Sequence, residues 1–146
     1  MNKLEPMCFE GNGNRVRLDA YVEDDSSLPS FGDVLVTLNI SSNGFSGENE
    51  VWVQRDEVES FYKAMSSLEQ SLNGQATLAS MSPAELELTV LSVTRRGNIA
   101  VRGTTGYRVQ TENAQFLHSI TFGFEFDPGQ LTTAIKESWL STYADA

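Results

Sequence analysis

Apolar and polar residues alternate with a period of two over most of this chain, and the phase of the alternation marks both the strands and the faces they bury. In Arg15 to Glu23, "RVRLDAYVE", Val16, Leu18, Ala20 and Val22 fall on one parity and Arg15, Arg17, Asp19, Tyr21 and Glu23 on the other. That is the pattern of a half-buried strand. The preceding "GNGN", Gly11 to Asn14, accepts positive φ, so a hairpin from about Met7 to Val22 is expected. "DDSSLPSFGD", Asp24 to Asp33, is rich in turn formers and reads as a surface loop. Next, "VLVTLNI" aligns Val34, Val36, Leu38 and Ile40 as a central strand. Glu50 to Gln54 follow as a shorter strand, with Val51 and Val53 on one side and Trp52 on the other.

In the second half, "ATLASM" and "ELELTVLSVT" read as short strands about a Ser82-Pro83 turn, and "RRGN" is a tight connection into "IAVRG", so a meander is expected. After a "TENAQ" loop comes the strongest strand pattern: Phe116, His118, Ile120, Phe122, Phe124 and Phe126 share one parity. Such an aromatic row is expected to lie under a helix.

The period changes to that of a helix twice. Asp56 is placed to cap the first helix, with Glu59 closing a capping box. Val58, Phe61, Tyr62, Met65, Leu68 and Leu72 then form its apolar stripe, and Asn73-Gly74 offers a left-handed stop. In "DPGQL", Asp127 is the cap, Pro128 the first helical residue and Gln130 the return partner. The stripe there is Leu131, Ile135, Trp139 or Leu140, and Tyr143. The order strands, helix, strands, helix predicts an α+β fold. It consists of an antiparallel β-sheet of about seven to nine strands, free to curl, with amphipathic helices near 56–73 and 128–143. A parallel α/β fold would need a helix after nearly every strand. No repeat or linker interrupts the pattern, so residues 1–146 are expected to form a single domain.

Composition narrows the function. With 146 residues and 40% hydrophobic content the chain carries enough apolar surface for one core without disulfides. Its apolar runs fall far short of the roughly 20 residues that cross a bilayer. The start, "MNKLEPMCFEG", lacks an apolar signal region, and Cys8 has no partner cysteine, which together favour the cytoplasm. Twenty acidic against ten basic residues give a net charge of −10. Such a surface repels phosphate backbones, so nucleic acid is not an expected partner. The same field attracts a basic protein, although solubility alone is the simpler use for it.

Most catalytic chemistry is excluded. One histidine and one cysteine cannot assemble a structural zinc site. "GNGNRV" lacks the third glycine of a dinucleotide loop and leads into a strand. "GTTG", Gly103 to Gly106, lies between strands and not between the helices of an RNA-clamping module. Asp24-Asp25 lacks the spacing of a calcium loop. His118, inside the aromatic row, reads as a packed or edge side chain and not as a base. No catalytic residue, metal site or cofactor is expected.

Four stretches carry a family resemblance: "GFSGENEVWVQRDEVESF", "LEQSLNGQATLAS", "SPAELELTV" and "FGFEFDPGQL", spanning about residues 40–131. Together they resemble the WapI-like immunity proteins of bacterial contact-dependent toxin systems. The resemblance implies a small cytoplasmic protein that binds and blocks a cognate toxin domain, often a nuclease, without chemistry of its own. It transfers no functional residue to this chain. If the partner is basic, the candidate contacts are carboxylates that helix capping leaves unexplained. Asp56, Glu57 and Glu59 offset a helix dipole. Asp24 and Asp25 in the long loop, with Glu48 and Glu50 before Trp52, do not. The alternative is a small-molecule-binding or enzymatic module with a cleft between sheet and helices, near His118.

Overall fold

The computed structural model describes residues 4–82 and 84–145, so Pro83 of the expected Ser82-Pro83 turn lies outside the described residues. Strands β1 (Met7–Gly11), β2 (Asn14–Val22), β3 (Val34–Ser42) and β4 (Phe45–Val53) precede helix α1 (Arg55–Ser71). Strands β5 (Gln75–Ala79), β6 (Leu86–Ser92), β7 (Ile99–Gln110) and β8 (Gln115–Phe126) follow it. Helix α2 (Gly129–Glu137) and a 3-10 turn (Trp139–Tyr143) complete the chain. The α+β class, the antiparallel pairing and the two helices are those the pattern predicts. The strands divide into two open meanders of four, β1-β2-β3-β4 and β5-β6-β7-β8. Helix α1 makes the division: it carries the chain away from β4, and β5 then pairs with β6.

Short turns set the registers. Asn12 (φ 52°) and Gly13 (φ 82°) join β1 to β2, and Asn43 (φ 50°) with Gly44 (φ 85°) joins β3 to β4. Two consecutive positive-φ residues match the twist of a two-residue hairpin, and Asn-Gly is the pair that adopts them at least cost. The second turn makes β4 longer than the Glu50–Gln54 expected, because Phe45 already pairs with Ser42. The inward parities of the first sheet are the expected ones: Val16, Leu18, Val34, Val36, Leu38, Ile40, Val51 and Val53 are all buried. They join Val58, Phe61, Met65 and Leu68 of α1, together with Leu131, Ile135, Trp139, Leu140 and Tyr143, in one core.

The helix ends differ from expectation in an instructive way. Helix α1 begins at Arg55, one residue before the expected cap, so Asp56 is already inside the first turn. The Arg55 amide is satisfied from elsewhere, by the Asp33 carboxylate at 2.9 Å. Glu59, freed from the box, lies 3.6 Å from Arg55, and Glu57 accepts the Ala79 amide at 3.0 Å. At the other end Leu72 (φ 52°), and not Asn73, takes the left-handed position, its amide bonding the Leu68 carbonyl at 2.7 Å. Pro128, not Asp127, is the N-cap of α2, and the Asp127 carboxylate one residue earlier accepts the Gly129 amide at 2.8 Å. Gln130, however, reaches across to β1: it accepts the Glu10 amide at 2.8 Å and donates to the Glu10 carbonyl at 2.9 Å.

The aromatic row is only half covered, and by the first sheet instead of the helix expected: the Phe9 ring of β1 lies 4.6 Å from that of Phe126, and Gly47 of β4 faces Ile120. Phe122, Phe124 and Phe126 are buried and Ile120 is half-buried, but His118 and Phe116 are exposed. Strand β6 ends early as well: Leu86 opposite Thr105 is its last pair with β7. From Gly106 onward β7 and β8 pair only with each other, Tyr107 opposite His118 and Val109 opposite Phe116. They continue as a two-stranded arm beyond the sheet.

Candidate functional site

Strand β4 places two different surfaces back to back. Glu48 and Glu50 point outward, opposite Asn39 and Thr37 of β3, while Gly47 and Asn49 point toward the second sheet. A Cβ at Gly47 would lie 3.3 Å from Ile120 Cγ2, so a residue without a side chain lets β4 approach β8. Asn49 fastens the root of the arm: its amide nitrogen donates to Thr105 Oγ1 at 2.9 Å and to the Gly106 carbonyl at 3.1 Å. The Gly106 amide in turn donates to the Glu85 carbonyl at 3.1 Å. Beside this junction Gly47, Glu48, Asn49, Tyr107, His118 and Ile120 are among the residues lining a hollow of about 230 Å³. Tyr107 and His118, cross-strand neighbours in its wall, stack with ring centroids 5.4 Å apart.

The outward face of the first sheet holds a larger open hollow, about 670 Å³, lined by Arg15, Arg17, Asp19, Asn39 and Glu48 among others. Its cations are neutralised in place. Arg15 lies 3.3 Å from Glu10, and Arg17 grips Asp19 through two contacts of 2.9 and 3.1 Å. The hydrogen bond and charge of Asp19 raise the Arg17 pKa further, so that guanidinium stays charged and occupied. One row along, Tyr21, Leu35 and Trp52 lie directly opposite one another and form an apolar stripe on the same outward face.

The four expected contact carboxylates fall on two neighbouring surfaces. Glu48 and Glu50 sit on the outward face of β4, flanking the arm junction on one side and the Trp52 stripe on the other. Asp24 and Asp25 lie beyond the end of that sheet in the β2–β3 loop, and all four side chains belong to exposed residues. Ion pairs among the described residues join Arg15 to Glu10, Arg17 to Asp19 and Arg55 to Glu59, and none uses these four carboxylates. Glu50 accepts a long hydrogen bond from Thr37 at 3.4 Å. Asp25 accepts the Ser27 hydroxyl at 2.6 Å and the Ser27 amide at 3.0 Å, and these bonds hold its carboxyl below the usual range. Among the described residues no three His, Cys, Asp or Glu side chains converge on a metal position.

The loop bearing Asp24 and Asp25 is pinned from the far end of the chain. Tyr143 donates its hydroxyl to the Gly32 carbonyl at 2.9 Å, and burial, reinforced by Asp33 and Glu59, pushes its pKa from 10.0 up to about 12. The folded state therefore holds this proton after the unfolded chain has lost it. That contribution is intact below pH 10.0 and disappears as pH rises to about 12. Tyr143→Phe is expected to be less stable than the parent at pH 7, from loss of the bond, and to lose less stability than the parent between pH 9 and 11. Thermal midpoints at the two pH values check it, and equal losses would contradict it.

Sequence reasoning missed the arm, Tyr107, Val109 and Leu117 above all. A signal was present: Phe116 and Leu117 are apolar on adjacent parities, which no half-buried strand requires.

An α+β protein of two open sheets, with its unusual groups displayed on the surface, is the class these features define. The family is narrower. A model of the Immunity protein WapI-like family matches residues 8–138, so the chain belongs to that family and is an immunity-type protein. The match takes in β1 to β3 as well as the 40–131 stretch that carries the resemblance. No solved structure and no curated protein gives a significant match. The family points to a non-enzymatic role and to binding of a cognate toxin. No helix among the described residues is long and apolar enough to cross a membrane.

Proposed function

We propose that this protein neutralises a basic toxin domain, a nuclease by class, in the cytoplasm, by covering the cationic surface that the toxin needs for its own substrate. The observation that carries this reading is a charge of −10 on an immunity-family chain whose exposed carboxylates at Asp24, Asp25, Glu48 and Glu50 stand outside its ion pairs. A domain that binds a polyanion must present cations, and a surface of opposite sign both steers its approach and competes for those cations. The same charge disfavours direct binding of nucleic acid by this chain. His118 lies on the exposed arm, not in a cleft beneath the helices, so the small-molecule alternative gains no support from it.

The test is the rate of binding to the toxin domain encoded beside this gene, at two salt concentrations. Exposed charges act mainly on association, so the fourfold reversal Asp24→Lys, Asp25→Lys, Glu48→Lys and Glu50→Lys is expected to slow association by about tenfold or more and to flatten its salt dependence. Circular dichroism serves as the folding control. Unchanged association would remove these residues from the contact. No binding by the parent protein would sink the toxin reading for that pair.

A further inference from the structure

We infer that the β7–β8 arm is the apolar anchor of the toxin contact, its exposed Tyr107, Val109, Phe116 and Leu117 filling a hydrophobic pocket on a basic protein. The inference rests on the toxin reading above and assigns it a place on the molecule.

The arm has no internal purpose that accounts for its composition. Beyond its root at Gly106 its two strands pair only with each other, and Tyr107, Val109, Phe116 and Leu117 are 48, 41, 52 and 55% exposed. Leaving several large apolar side chains in water forgoes stabilisation that the same residues would gain in a core. A contiguous exposed apolar patch on a small protein marks an interaction surface. Tyr107, Val109, Phe116 and His118 share one face by register, and Leu117 extends the patch to the other. Phe45, 72% exposed, is a further large apolar side chain, on the side of β4 where Gly47 meets Ile120.

The arm is also ordered before it binds. Asn49 and the Glu85 carbonyl fasten its root. At the tip the Thr111 amide donates to the Ala114 carbonyl at 2.8 Å, the Ala114 amide donates to Thr111 Oγ1 at 3.1 Å, and Gln110 bridges both carbonyls. A preformed hairpin loses little entropy on docking, which is what an anchor requires.

Charge selects the occupant. A second copy would bring another −10 to a chain already at −10, and like fields oppose association. A cationic protein is drawn to this molecule by the same field, and exposed Glu48 lies on the strand that borders the arm's root. Apolar anchors at the centre with carboxylates at the rim is the arrangement in which the first hold the complex together and the second bring it together.

The experiment uses the full chain and the toxin domain encoded beside it. Val109→Thr, Phe116→Thr and Leu117→Thr together, and Phe116→Thr alone, keep strand-forming residues in an exposed ribbon, so the fold is expected to survive. Dissociation is expected to accelerate at least about tenfold in the triple variant and less in the single one, with the association rate and its salt dependence retained. This is the opposite of the pattern expected for charge reversal. Unchanged dissociation in both variants, with the parent binding, overturns the arm assignment and leaves the toxin reading standing. No binding by the parent overturns both. Sedimentation supplies the last arm: a parent dimer that the variants convert to monomer would give this face to a second copy and overturn the assignment.

Discussion

Trp139→Ala is expected to destabilise the protein by about 3 to 5 kcal/mol, a large part of the roughly 5 to 15 kcal/mol that holds a domain of this size together. The indole is 1% exposed and is among the largest fully buried side chains. It also fastens the chain end to its beginning. Its Nε1–H donates to the Leu18 carbonyl at 2.9 Å, and its backbone amide donates to the Glu5 carbonyl at 2.9 Å. Truncation opens a cavity between the C-terminal 3-10 turn and the first sheet and removes the donor from Leu18, so the two losses add. Trp139→Phe keeps most of the ring and forfeits the hydrogen bond, and is expected to cost less. Urea unfolding followed by circular dichroism measures both. A loss below about 1 kcal/mol for the alanine variant would mean that the C-terminal turn is not part of the cooperative core.

Gly11→Ala is expected to cost more than about 2 kcal/mol for a different reason, steric overpacking at a seam. A Cβ at Gly11 would collide with the backbone carbonyl of Glu125, where the end of β1 meets β8. Backbone cannot swing aside as a side chain can, and the Glu10 and Gln130 clamp fixes the same seam from the other side. Gly13→Ala is the matched control. Nothing lies within 4 Å of its Cβ position, and its φ of 82° carries only the conformational cost of a left-handed residue, about 1 to 2 kcal/mol. Denaturation midpoints rank the two, and a larger loss at Gly13 than at Gly11 would contradict the close approach of the two sheets.

The contrast between those glycines reflects how much of this fold was open to a reader of the sequence. Gly13 could be assigned to a turn from its neighbours, because an Asn-Gly step between alternating strands has a local conformational meaning. Gly11 could not be assigned to a seam, because Glu125, the group it accommodates, lies more than a hundred positions away. The candidate site divides in the same way. Asp24, Asp25, Glu48 and Glu50 were identifiable as carboxylates without a capping role, two of them in a loop, whereas the placing of Glu48 and Glu50 together on one strand face depended on the pairing of β3 with β4.

The sequence by itself determined what depends on near neighbours. The parity of Val34, Val36, Leu38 and Ile40, the helical spacing from Val58 to Leu72, the helix start after Asp127 and the α+β order all follow from periodicities and turn preferences that act within a few residues. Charge and the family resemblance were likewise readable directly. The tertiary structure alone decided what depends on which distant group lies against an unsatisfied one. Asp33, not Asp56, satisfies the amide at the start of α1, Gln130 binds Glu10 instead of its own helix end, and β5 starts a second sheet. The arm is the sharpest case. Phe116 and Phe124 share one face of β8, and one is exposed and the other buried because the first sheet packs on the end of the strand where Phe9 meets Phe126 and leaves the Phe116 end open. Burial is a property of the neighbours that cover a residue, and a strand's own alternation does not record where that cover stops.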